Sequence, residues 1–335
     1  MKLAVALAGG VVLVLAAGLA VSLGAGLLRH PQPRTQLTVK IDADAVPRLV
    51  VRTLYATVRD GIREPRLGFA SIGPAGDAIL VTIPEGVERQ QVLARLQELS
   101  RQPGPAGGVD RFAVTDTDSG TLQLMPTPAA IAEGMAPTVD QTIDVLARRI
   151  DSRALKPVFK RAGEDRIVID VARQPDMTSL KALIVAPGQL AFRFVDTSVR
   201  VGEAQSGEMP PQSEILRDRN GGPFLVEKRV AMSGETLVDA QPGFDQRTNE
   251  PIVTFRFNDI GKRQFARITR DKVGVPMAVV LDGVVLAAPI IREPILGGSG
   301  QISGGFTVES ANNLAVLLRS GALPAPLTII EEQTL

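Results

Sequence analysis

Asp and Glu together number 36, so carboxylates are abundant, but no pair of them is placed for acid–base catalysis. Asp116 with Asp118, and Glu331 with Glu332, read as solvated edges, because such residues are seldom buried without partners. His30 is the single histidine, so neither a histidine metal site nor a Ser-His-Asp relay can be assembled. The sequence has no Cys, which excludes thiol catalysis, disulfides and cysteine metal sites. Glycines at 297, 298, 300, 304 and 305 could cradle a phosphate, but the Lys-Ser/Thr pair of a phosphate loop is missing. The expectation is a protein with no catalytic residues, no cofactor and no metal, and not an enzyme. Lys and Arg number 37 against those 36 carboxylates, so no basic excess points to nucleic acid. One Tyr and no Trp leave few platforms for stacking bases or sugars.

The groups left to do work are backbone and apolar side chains, concentrated in 279–323. Asp282-Gly283 between two apolar runs is a hairpin signal, since both turn residues need φ > 0. Pro289 and Pro294 lack the N–H of a central strand. The glycines then bracket Gln301–Ser303 as a mobile loop. Thr307 can cap a helix carrying Ala311, Leu314, Ala315, Leu317 and Leu318, with Gly321 at its stop. Ile290, Ile291, Ile295, Leu296 and Phe306 lie in or beside this loop, as core residues or as the wall of an apolar groove. With Gly297, Gly298, Gly300, Gly304 and Gly305 they form the candidate polypeptide-binding and mobile segment.

The elements that must carry this segment are legible by period. Residues 3–28 are uncharged, long enough to cross a bilayer as a helix, and are read as a retained anchor rather than a cleaved signal. Residues 36–41 alternate as a strand, 46–62 and 87–99 have helical spacing, and 78–83 reads as a strand. Residues 102–108, rich in Pro and Gly, are a connector. Pro137 is expected to open a helix over 141–152, followed by paired strands at 157–161 and 166–172, a helix at 176–185 and a strand at 189–196. With a strand near 113–125 this makes most of a ferredoxin-like unit. The polar stretch 199–222 is expected to lead into an inserted lobe.

The ordered strings Ser233-Gly234-Glu235, Pro242-Gly243-Phe244-Asp245, Asp282-Gly283, Ala288-Pro289, 297–304 and 317–326, with the block 148–171, resemble the SecD family of protein-export membrane subunits. The resemblance is strong over 137–335. The expected fold class is α+β: a ferredoxin-like base with an inserted α+β head and one N-terminal transmembrane helix. The divisions are 1–30 (anchor), 35–125 and 126–198 (base), 199–320 (head) and 321–335 (return strand to the base). The resemblance implies an accessory subunit of the Sec translocase at the inner membrane, with its large domain in the periplasm. Its work would be to hold emerging unfolded preprotein and stop backsliding. Its partners would be a SecF-like subunit and the Sec channel. The proton-driven step would lie in membrane helices absent from this sequence or on a separate chain. A scaffolding domain that docks on a membrane partner without binding substrate is the alternative. Movement of the head would need two hinges, with Arg200, Gly202, Leu318 and Gly321 as candidates.

Overall fold

The structure is a computed structural model, and it describes residues 34–63, 67–101, 110–117, 120–151, 155–172, 176–207 and 209–335. The anchor, His30 and the connector at 102–108 lie outside the described residues. Among the described residues no helix is long and apolar enough to cross a membrane.

The chain opens with β1 (Arg34–Ile41) and α1 (Val46–Arg63). Next come β2 (Ser71–Ala75), β3 (Ala78–Thr82), α2 (Arg89–Ser100), β4 (Phe112–Thr117) and β5 (Thr121–Pro126). α3 (Pro128–Asp151), β6 (Val158–Arg161), β7 (Arg166–Ala172) and α4 (Met177–Val185) follow. A longer excursion holds β8 (Leu190–Phe194), α5 (Val201–Gln205), β9 (Ser213–Asp218), β10 (Pro223–Glu227), β11 (Met232–Ser233), β12 (Leu237–Phe244) and β13 (Pro251–Phe257). It continues through α6 (Asp259–Asp271), β14 (Met277–Leu281), β15 (Val284–Ala287), β16 (Ser299–Ile302) and α7 (Val308–Ser320), and the chain ends in β17 (Leu327–Thr334).

These elements make a mixed α/β architecture of four sheets among the described residues. The first sheet has the order β17-β1-β7-β6, every pair antiparallel. Its strands and helices run β1, α3, β6, β7, α4, β17, the βαββαβ order of a split βαβ unit. Alternation puts Leu37, Val39 and Ile41 of β1 and Ile167, Ile169 and Val171 of β7 on one face. That face packs against Leu146 and Ile150 of α3 and Leu180 and Ile184 of α4.

Three expectations change here. The strand near 113–125 is two strands, β4 and β5, in a separate sheet of order β2-β3-β5-β4. Phe112, Leu122 and Leu124 share a core with α1, α2 and the first turns of α3, and β1 fills the place assigned to that strand. Pro137 does not open a helix but lies inside α3, where the Thr138 hydroxyl donates to Gly134 O at 2.7 Å. Gly134 also lets α1 approach, since a Cβ there would stand 2.5 Å from Val50. Finally β8, expected in the base, is an inner strand of a six-stranded sheet, order β10-β9-β15-β14-β8-β11. Phe192 of β8 is drawn there by Phe255 and Phe257 of β13 and Phe265 of α6, with centroids 5.7–5.8 Å from its ring. The fourth sheet, β12-β13-β16, closes over the same core with α6 and α7.

Candidate functional site

Between the split βαβ unit and the lobe built on β8–α7, the chain crosses twice. The first crossing follows α4 at 186–189 and the second follows α7 at 320–324. They run side by side, with Leu323 N–H donating to Pro187 O at 2.8 Å.

Arg149 ties both crossings to the base. Its position on α3, three residues after Leu146, turns it toward the core, and it is fully buried. The guanidinium donates to Leu183 O (3.0 Å) and Ala186 O at the end of α4, then to Pro187 O (3.2 Å). On the second crossing it donates to Ser320 Oγ and Gly321 O, both at 3.2 Å. A planar fork of five donors is the one side chain that can serve so many carbonyls at once. Burial pushes its pKa down to about 10, against the opposing pull of Asp282, so it stays charged at neutral pH. Arg148 adds two bonds, Nε and Nη2 to Ser320 O at 3.1 and 3.0 Å.

The backbone at the crossings is glycine-dependent. Gly188 has φ +74°, and a Cβ there would stand 2.7 Å from Arg149 Nη2. Gly321 has φ +81° and closes α7 through its N–H to Leu317 O. Asp282, at φ +52° in the β14–β15 turn, accepts from Gly188 N–H (3.0 Å) and Gln189 N–H (2.7 Å). The hairpin residue that anchors the sequence pattern therefore sits at the joint and clamps the first crossing.

Beside the crossings lies a cleft of about 720 Å³. Arg52 of α1 with Asp144 and Arg148 of α3 line one wall, and Glu235 and Arg319 of the lobe line the other.

The candidate residues from the sequence fall in different places. Ile291 and Phe306 are core, Ile295 packs partly against that core, and Ile290 and Leu296 are 59% and 57% exposed. The glycine loop is not free. Ser299–Ile302 is the strand β16 paired to β13, because Gly300 lets the Phe255 ring in at 2.7 Å from a hypothetical Cβ. Gly298 backs onto Lys262, Gly304 onto Leu286 O, and Arg219 lies 4.1 Å over the Phe306 ring. Gly297 and Gly305 flank this strand with no close neighbour beyond Ser299 Oγ. Of the hinge candidates, Gly321 lies in the second crossing, and Leu318 is a buried core residue of the last turn of α7. Arg200 and Gly202 do not: they begin α5, whose flanking strands β8 and β9 belong to the same sheet, so 199–222 is not a crossing. Arg149 and Gly188 were missed. An arginine at a core-facing helical position, three residues after Leu146, was the available signal.

Comparison with known proteins gives two family matches. The model for the SecDF P1 head subdomain matches residues 213–325, and that for the N-terminal part of the P1 domain of protein translocase subunit SecDF matches 139–197. The protein translocase subunit SecD of Rickettsia bellii is 33% identical over 300 residues, 89% of this chain and 56% of that one. The chain thus spans little more than half the length of this relative. A solved structure of SecDF, a membrane component that enhances protein export, is 30% identical and aligns over 58% of this chain and 92% of that one, with a TM-score of 0.46. SecDF in a super-membrane-facing form is 23% identical and shares the fold, at a TM-score of 0.50 over 88% of this chain and 35% of that one. The two family matches together take in just over half of this chain and the SecD relative aligns along 89% of it, so the chain belongs to the SecD family.

Proposed function

We propose that this chain serves protein export as an accessory part of the Sec translocase, holding unfolded polypeptide as it emerges and preventing its return. In this reading residues 1–30 anchor it in the inner membrane by a single pass, and the described residues stand on the periplasmic side. The split βαβ unit is a ferredoxin-like base and the β8–α7 lobe a head that swings on 186–189 and 320–324. A SecF-like subunit and the Sec channel are its partners, and the proton-driven step belongs to other membrane helices. No chemistry at a catalytic side chain is required, because a grip that opens and closes needs only reversible binding.

The observation that carries this reading is the joint itself. Two glycine-containing crossings gathered on Arg149 beside an open cleft provide a pivot, and exposed Ile290 and Leu296 provide apolar surface on the head.

Photo-crosslinkers at Ile290 and Leu296, in the full chain within its membrane, test it against an arrested preprotein. Adducts from the head positions, and none from a crosslinker at Lys160 on the base, are expected. Normal association with the membrane partners but no adduct from either head position would leave the scaffolding alternative in its place.

A further inference from the structure

Among the described residues the four sheets present eight edge strands, and seven of them are guarded. β17 carries Glu331 and Glu332, and β6 carries Lys160 and Arg161. β10 begins at Pro223 and ends at Glu227, while β11 is only Met232–Ser233. β12 contains Asp239 and Pro242 and is bulged against β13. β2 contains Pro74 and β4 contains Asp116. Charge, proline, bulges and brevity are the means by which proteins keep an edge from pairing with another strand. β16 reads Ser-Gly-Gln-Ile; it is as short as β6 but twice the length of β11, and it has no charge, proline or bulge.

Its backbone is also turned the right way. Phe257 N–H donates to Gly298 O at 2.9 Å, so by antiparallel alternation Gly298, Gly300 and Ile302 bond toward β13. Ser299 and Gln301 therefore direct both N–H and C=O away from the sheet. Among the described residues no other strand pairs with that edge, and both residues are exposed. Their small or uncharged side chains leave that edge open to another backbone.

We infer that the outer edge of β16 is where the head takes hold of an extended, unfolded polypeptide, by adding it as a fourth strand to β12-β13-β16. This rests on the polypeptide-holding function proposed above and gives it a chemistry. Backbone pairing is indifferent to side chains, which alternate to either side of the added strand. A device that must hold many different exported sequences needs that indifference.

Binding of a fluorescein-labelled peptide of about ten alternating Thr and Val residues to the full chain in detergent micelles tests this. The same peptide N-methylated at every second residue loses the donors on one edge. Gln301→Pro removes one outward N–H while leaving the bonds to β13, and far-UV dichroism with the urea midpoint checks that the fold is intact. The expected result is that N-methylation and Gln301→Pro each weaken binding by at least about tenfold. Equal binding of both peptides, or undiminished binding by a folded Gln301→Pro chain, overturns the edge while leaving the holding function intact. No binding of the plain peptide by the unsubstituted chain counts against the holding function itself. Dimers in sedimentation that Gln301→Pro dissolves would show that the edge pairs two copies, and would overturn the inference as well.

Discussion

Arg149 places a full charge where water is excluded, and carbonyl oxygens at the end of α4 and in both crossings accept from it. The C-terminal end of α4 contributes, because its last carbonyls carry partial negative charge. Replacing Arg149 with Met keeps volume but leaves these buried acceptors unpaired, and should cost about 3 kcal/mol. Arg149→Lys should recover less than half of that, since one ammonium cannot span both crossings. Urea unfolding of the full chain in detergent measures both. Between pH 6 and 9 the midpoint should not depend on this residue. Its folded pKa of about 10 lies below the unfolded value, so both states are protonated there. Only above about 10, where the unfolded chain keeps a proton the folded one sheds, does the slope turn positive.

At the scale of elements, the two crossings and the stretch 199–222 make opposite predictions. Gly188→Ala forces a side chain into φ +74° and against Arg149 Nη2, and should destabilise by about 2 kcal/mol. Gly202→Ala meets open space inside a helix, and should be neutral or stabilising by up to about 1 kcal/mol. The same urea titration decides both, and equal losses would contradict the assignment of the pivot. Local features were legible in the sequence for a physical reason. The Thr307 cap, the Asp282-Gly283 turn and the Gly321 stop depend on neighbours a few residues away. Pairing partners were not, because β1 and β7, or β8 and β14, meet across more than 80 residues. Alternation in β8 suits either sheet, and only the ring cluster of Phe255, Phe257 and Phe265 decides which one.

At the scale of the molecule, the proposed function takes the split βαβ unit and the β8–α7 lobe as two bodies joined by a pinned double crossing. The joint itself was only partly legible in the sequence: Gly321 was marked and Arg149 falls on the core-facing stripe of its helix, but which carbonyls it serves is set only when α4 and α7 come to it. The glycine-rich segment was legible as unusual, and its glycines are there for close approach to Phe255 and Lys262 rather than for looseness. A chain without Cys can be spin-labelled at two chosen sites only. With labels at Lys160→Cys on β6 and Arg267→Cys on α6, electron double resonance reads the distance from base to head in the full chain. The account predicts two populations of distance that redistribute when an unfolded peptide is added. One narrow distance, unmoved by peptide, would contradict it.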